Sequence, residues 1–480
     1  MELELQLIGA SLRSIADEMG AVLIRSAFSA NIKERRDCST ALFDAQGRMI
    51  AQAEHIPVHL GAMPDAVAAV LAHDPGPDDV YILNDPFAGG THLPDITLVT
   101  RTPIGFAVTR AHHADVGARE PGSLPADSRR LDEEGVVIPP TRLDERTLEE
   151  LVTRMRNPAE RRGDLRAQLA AHGLASRRLD ELCKRLSAPR VEAAGDVLHA
   201  YSERRVRAAI ARLPDGCFRA VDTLEALDGG ELEIRVAVTI SGDEVEIDFT
   251  GTAPQHDGNL NCPLAVARSA GYFVVRCLTD PDVPASGGAF APVHVTAPEG
   301  CLVNARAPAA VAAGNVETSS RIVDVVFAAL GEAVEVPAQG QGTMNNLTLG
   351  NERFTYYETV GGGQGACPEA DGPSGVHVAM SNTLSTPAEA LELAYPLRVE
   401  RHALRLGSGG KGRRRGGDGV VRELRVLEPC RLSLVSERRR NAPRGARGGG
   451  PGEPGRNLLN GKELPAKATR ELAAGDLVRV

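Results

Sequence analysis

Two short stretches concentrate the residues able to hold a metal ion: Gly89-Gly-Thr-His-Leu-Pro-Asp95 and Ala111-His-His-Ala-Asp115. Ile96–Thr102 and Phe106–His112 flank Pro103-Ile-Gly105, the pattern of an antiparallel hairpin. A turn centred near Ile104 sets Asp95 opposite His113, with His112 beside it, at the hairpin's open end. His92 stands three residues before Asp95 in a glycine-rich loop free to fold back. Two imidazoles and a carboxylate from adjacent strands make an open coordination set. Mixed nitrogen and oxygen donors suit manganese, iron, cobalt or zinc better than calcium or copper(I). Three or four protein ligands leave positions for water or substrate. His92 and Asp95 are the fixed members; strand register alone does not choose between His112 and His113. Asp115 is read as a fourth ligand or as the group that orients an imidazole.

A second histidine pair, His55 and His59, has the i, i+4 spacing of a helical metal motif, but Pro57 between them disfavours a helix. Hydrogen bonding near the same pocket is the better reading of that pair. Gly407-Ser-Gly-Gly-Lys-Gly412 resembles a phosphate loop and fails its test: Arg405 and Gly412 stand where glycine and Ser or Thr are required. No glycine fingerprint of a dinucleotide fold and no nucleophile elbow is present.

The elements that must position these groups form an α+β (mixed α/β) pattern. Residues 4–30 carry apolar positions at helical spacing. Cys38–Phe43 and Arg48–Gln52 read as paired strands, Gly61 to about Leu71 as a helix, and Val80–Leu83 as a buried strand ending in the turn-rich loop Asn84–Gly90. From about 145 to 213 leucines are set among Glu, Arg and Lys, which predicts a charged helical arm. Glu231–Ile240 and Glu244–Phe249 alternate cleanly, as a hairpin does. Helices are expected over about 264–275 and 315–334, and the last 80 residues read as β structure rich in Gly and Arg. The expected organisation is therefore a large multi-layer fold: an N-terminal α/β region (1–145) with the metal site, the arm (146–213), a central α/β region (214–400) and a C-terminal β region (401–480).

With 480 residues, 42% hydrophobic and 25% charged, the chain has ample material for a packed core. A net charge of −10 excludes a general nucleic-acid binder. No apolar run reaches the roughly 18 residues of a membrane span. The eight cysteines form no CxxC pair, and no export signal precedes them, so reduced thiols in the cytoplasm are expected. From Lys411 to Arg447 twelve residues are basic and four acidic, which points either to an anionic partner or to pairing with the protein's own carboxylates.

The ordered blocks of this sequence resemble the hydantoinase B family, which takes in N-methylhydantoinase B subunits, the C-terminal half of 5-oxoprolinases, and acetone and acetophenone carboxylase alpha subunits. The likeness is carried by Ile32–Ser39, His55–Gly61, Asn84–Asp95, His112–Gly117, Asp248–Gln255, Asn259–Pro263, Ala338–Asn346, Tyr356–Thr359, Gly407–Gly412 and Arg415–Gly419. The resemblance implies His92, Asp95 and His112 as metal ligands, with Asp115 beside them. It implies a hydantoinase A-type partner subunit that binds ATP and phosphorylates the substrate, hence a hetero-oligomer. One departure is Gly117-Ala118 where the family has Gly-Gly, which would narrow the pocket by a methyl group.

The leading expectation is the B-type subunit of an ATP-dependent cyclic-amide hydrolase (hydantoinase or 5-oxoprolinase-like), opening a phosphorylated ring with a metal-bound water. His55, His59, His113 and Asp115 are the candidates for acid–base work. The alternatives are the alpha subunit of an ATP-dependent acetone- or acetophenone-type carboxylase and a non-catalytic scaffold subunit.

Overall fold

The computed structural model describes residues 2–53 and 56–480, with the side chains of residues 2–4 left aside. His55 therefore lies outside the described residues.

The N-terminal region is built on a six-stranded sheet. Its strands are β1 (Cys38–Asp44), β2 (Met49–Ala53), β3 (Val80–Leu83), β4 (Asp95–Thr102), β5 (Gly105–His112) and β6 (Thr141–Arg142), in the order β2-β1-β5-β4-β3-β6. All of its pairings are antiparallel. β4 and β5 lie centrally and are buried along nearly their whole length. That requires cover on both faces, which explains their continuous apolar content. Helix α1 (Glu2–Ser26) lays Leu12, Met19 and Leu23 on one face, beside Leu42, Ala107 and Ala111 of the sheet. Met63–Leu71, with Pro64 in its first turn, packs Met63, Ala66, Val67 and Val70 against Phe43, Val99, Phe106 and Val108 on the other face.

The charged segment forms three helices, Glu145–Val152, Pro158–Leu186 and Ala188–Ile210. The sequence suggested an arm. Instead the 29-residue helix Pro158–Leu186 lies along the sheet, burying Ala167, Ala171, Ala175 and Leu179 in the same core as α1. Alanines at helical spacing let its backbone approach closely, while Arg166, Arg177, Arg178 and Arg185 face outward and Arg161 is buried against Asp164. A leucine count among charges underestimates such a face, because the small residues do the packing.

A second sheet carries the hairpin read from the sequence, β8 (Glu231–Ser241) and β9 (Glu244–Asp248), between β7 (Gly216–Glu225) and the parallel strand β10 (Val293–Thr296). Helices Leu264–Leu278 and Ser319–Leu330 pack on it in the largest core cluster. The second of these is preceded by one π-helical turn, Gly314–Thr318. At Gly314 the backbone passes so close to the Asn261 carbonyl that a Cβ would stand 1.8 Å from its oxygen.

The C-terminal region is β-rich. β11 (Asn346–Gly350) and β12 (Thr355–Thr359) form a four-stranded sheet with Cys430–Val435 and Lys467–Leu472. A five-stranded sheet gathers Leu397–Arg405, Gly419–Val426 and three short strands after residue 456. Among the described residues no helix is long and apolar enough to cross a membrane, and all eight cysteines are free thiols.

Candidate metal centre

The geometry of the centre begins with the β4–β5 register. Asp95 pairs with His112, and the pairs run from there to Thr102 with Gly105. This is one residue from the register expected of a turn centred on Ile104; the two-residue loop Pro103-Ile104 sets it. The shift matters because neighbouring side chains on a strand leave on opposite faces. It puts Asp95 and His112 on the same face and sends His113 to the other.

His92 reaches them from the loop before β4. Asn84 ties that loop down: its amide donates to the carbonyls of Leu93 (2.8 Å) and Val136 (2.9 Å), and its oxygen accepts from Ile138 N (2.7 Å). Gly90 lets the loop double back, since a Cβ there would stand 2.3 Å from the Asn84 carbonyl oxygen. Arg110, two residues before His112, clamps the same loop through Nη2 to Gly89 O (3.0 Å) and is held by Thr97 Oγ1 (2.8 Å). Burial lowers its pKa to about 10.

Asp95 Oδ1 lies 3.1 Å from His92 Nε2 and 3.2 Å from His112 Nδ1. One ligand atom from each of the three falls within 4.8 Å of the others, and all three side chains are buried. Asp95 Oδ2 accepts from Thr91 Oγ1 (3.0 Å) and Asn315 Nδ2 (3.4 Å), and lies 3.5 Å from His59 Nε2. Burial acts to raise the Asp95 pKa, but the surrounding imidazoles outweigh it and hold the carboxyl well below the usual range. The carboxylate and the imidazoles around it therefore stabilise each other's charged forms inside the protein. His92 Nδ1 faces the Ala312 carbonyl at 3.4 Å, which as donor to that oxygen would leave Nε2 as the lone-pair nitrogen. The Nε2 atoms of His92 and His112 are buried with no hydrogen-bond partner. Unsatisfied imidazole nitrogens beside a carboxylate are what a divalent cation would satisfy, so the residues fit one.

His112 is held from both sides. Its amide donates to Asp37 O (3.0 Å), and its ring stacks on Tyr357 at 4.7 Å between centroids. The Tyr357 hydroxyl donates to Asn346 Oδ1 (2.8 Å), and Asn346 Nδ2 donates to Glu317 Oε1 (2.8 Å). His59, on a single 3-10 turn Pro57–His59, bonds Ser39 Oγ at 2.9 Å through Nδ1. The space at the centre is ≈ 20 Å³, room for one water or ion.

Of the groups proposed from sequence, the structure brings together His92, Asp95, His112 and His59. It places two elsewhere. His113 points at the helix Pro158–Leu186, where Nε2 meets Gln168 Oε1 at 2.9 Å, and burial lowers its pKa to about 4. Asp115 organises the following loop, accepting from the amides of Gly117 (2.9 Å) and Gly122 (2.8 Å), from the hydroxyls of Ser123 and Thr355, and from Arg156 Nε (2.8 Å). A carboxylate so fully engaged is not available as a fourth ligand. Ala118 likewise lies by Arg156, which donates to its carbonyl, and does not line the central cavity. Sequence reading missed Thr91, Asn315 and Tyr357. Thr91 lay inside the Gly89–Asp95 motif and Tyr357 inside the Tyr356–Thr359 block, whereas Asn315 had no signal beyond the helical pattern around it.

Comparison with known proteins follows the same lines. The Hydantoinase B/oxoprolinase profile matches residues 1–480. An uncharacterised protein of Methanocaldococcus jannaschii is 38% identical over 100% of this chain and 89% of its own length. 5-Oxoprolinase 1 of Arabidopsis thaliana is also 38% identical, over 97% of this chain but only 40% of its own length. Among solved structures, an ATP-dependent caprolactamase from Pseudomonas jessenii superposes with a TM-score of 0.91 at 26% identity, covering 100% of this chain and 89% of that one.

Proposed function

The chain belongs to the hydantoinase B/oxoprolinase family, and from that premise we propose that it is the ring-opening component of an ATP-dependent cyclic-amide hydrolase. The observation that carries the reading is the convergence of His92, Asp95 and His112, one ligand atom from each within 4.8 Å of the others, with a buried Nε2 on each imidazole that has no hydrogen-bond partner. These three would hold a divalent ion of the manganese, iron, cobalt or zinc type. Such an ion, when bound, supplies Lewis acidity and lowers the pKa of water, the two aids that amide opening most needs.

The remaining work falls to the chain's own residues. Asp95 supplies the carboxylate that the imidazoles surround. His59, buried, bonded to Ser39 and 3.5 Å from Asp95 Oδ2, is the residue this reading gives the acid–base work. Tyr357 holds the His112 ring in plane, and Thr91 and Asn315 hold the second carboxylate oxygen. Counted from the O-phosphorylated ring, two waters are consumed: the ring carbon–nitrogen bond breaks and the nitrogen takes protons, the carbon ends as a carboxylate, and the phosphoryl group leaves as inorganic phosphate.

The activation step is assigned to an A-type partner that phosphorylates the ring oxygen with ATP. Support comes from the relatives: the Arabidopsis 5-oxoprolinase extends far beyond the segment matched here, and the caprolactamase is named as ATP-dependent. A cytoplasmic, hetero-oligomeric assembly follows from this reading. The test is ring opening of 5-oxoproline, hydantoin and caprolactam by the chain co-purified with its A-type partner. Product is expected only with ATP, with partner and with metal; turnover that survives metal removal or His92→Ala would overturn the proposal.

A further inference from the structure

A cavity of ≈ 570 Å³ lies on the far side of one wall of the metal centre. Met344 and Thr359 line the centre, whereas their chain neighbours Thr343, Asn345 and Val360 line this second cavity. One thickness of backbone therefore separates the two. The volume is that of a small-ligand pocket.

The lining is strongly basic. Ten arginines and lysines face two glutamates, Glu335 and Glu453. Part of this charge is cancelled internally: Arg438 lies 2.6 Å from Asp324 and 3.2 Å from Asp222, Arg444 reaches Asp222, and Arg447 reaches Glu335. Part is not. Arg405 and Arg413 donate only to the carbonyls of Pro454 and Pro368. Arg439 donates to the neutral oxygens of Asn345 (2.9 Å), Asn457 and the Glu437 carbonyl, and burial lowers its pKa to about 10. Lys411 and Arg414 form no ion pair among the described residues. The Nε and Nη1 atoms of the buried Arg438 have no hydrogen-bond partner. Arg439, withdrawn from water and met only by neutral oxygens, is a cation without an ion pair; that is costly, and an anion in the cavity offsets the cost.

The walls suit a compact anion. Glycine segments pack backbone to backbone, and a Cβ at Gly363 or Gly417 would stand 2.0 Å from the carbonyl oxygen it faces, Gly417 O and Pro373 O respectively. No aromatic residue lines the cavity, so a nucleobase would find no ring to stack on.

We propose that this arginine- and glycine-walled cavity binds a phosphate group, the one carried by an O-phosphorylated ring or released from it. The choice of phosphate rests on the function proposed above; the need for an anion rests on the unpaired cations alone. Asn345 joins the two sites physically. It accepts from Arg439, while the next residue, Asn346, accepts from the Tyr357 that stacks on His112.

The test is calorimetric titration of the full chain with inorganic phosphate at constant ionic strength, against a chloride control. Saturable binding is expected. Arg439→Gln should weaken it at least tenfold, and so should the exposed pair Lys411→Gln with Arg414→Gln, which does not threaten folding. Metal content of these variants should equal the wild type. Phosphate binding no better than chloride, or variants that bind as the wild type does, would overturn the site. Adenosine diphosphate binding tenfold tighter than phosphate would overturn the assignment in favour of a nucleotide. Loss of the site with ring opening intact leaves the proposed function standing. Phosphate binding without any ring opening leaves the site standing and removes that function.

Discussion

Asp95 Oδ1 and His112 Nδ1 lie 3.2 Å apart across the last rung of the β4–β5 hairpin. The strand ladder itself sets that separation, so the two groups are aligned by backbone hydrogen bonds and not by a mobile loop. Sites on such elements keep their geometry better than sites on loops.

Replacement of Asp95 by Asn preserves shape and removes the charge that the three imidazoles surround. Divalent metal affinity should fall at least ~100-fold, beyond the loss typical of outlying partners of metal ligands. Metal analysis after dialysis against a buffered ion series measures it; a stoichiometry equal to the wild type would show that the ion sits elsewhere.

His113→Ala provides the contrast. Because its ring meets Gln168 on the opposite face, metal stoichiometry should be unchanged. Stability should drop by about 1–3 kcal/mol, as a buried amide oxygen loses its partner. Urea unfolding together with metal analysis separates the two effects.

Tyr357 should divide by substitution. Tyr357→Phe keeps the ring against His112 and strips the donor from Asn346, so about 1–2 kcal/mol of stability goes and metal affinity stays within a few-fold. Tyr357→Ala also removes the stack, and metal affinity should fall roughly tenfold as His112 loosens. Equal metal affinities for the two variants would refute a holding role for the ring.

Glu317 carries a pH dependence. Burial, with the Glu437 carboxylate nearby, pushes its pKa up to about 7 from the ordinary 4.5. Between those values the folded protein keeps a proton that the unfolded chain has released, so this group's contribution falls as pH rises through that window and is flat above it. Glu317→Gln should remove a slope worth roughly 3 kcal/mol. Chemical denaturation at pH 5 and pH 8 checks this: the variant should gain relative to the wild type at pH 8 and not at pH 5.

The cluster of His92 and Asp95 with a histidine at 112 or 113 was legible in the sequence because its determinants are local; the choice of His112 came from the family resemblance alone. A hairpin with a two-residue loop, a glycine-rich approach and the residues at its open end all fall within 30 positions. The single-residue register shift was not legible, since the two-residue loop Pro103-Ile104 and the three-residue loop Pro103-Ile104-Gly105 are equally good turns by composition. It was the shift that separated His112 from His113. Asn315 and Tyr357 were illegible for a different reason. Each reaches the centre from more than 200 residues away, Asn315 through a π-helical turn that a helical hydrophobic pattern does not distinguish from an ordinary one. The helix Pro158–Leu186 was seen as a helix but not as a buried layer, because its contact face is made of alanine. The basic tail split between both expectations. Arg415, Arg422 and Arg425 pair with Asp418, Glu358 and Glu400, while Arg413 and Arg439 find only neutral oxygens.

Arg35 precedes β1, yet its guanidinium donates to the Tyr357 carbonyl, to the hydroxyls of Thr359 and Thr383, and to Leu384 O, and it lies over the Tyr357 ring. The imidazoles made early in synthesis are thus walled in by residues that leave the ribosome almost three hundred positions later. A chain cut short before Tyr357 would lose both the ring that stacks on His112 and the carbonyl that anchors Arg35, so the centre's completeness depends on residues made far later than its imidazoles.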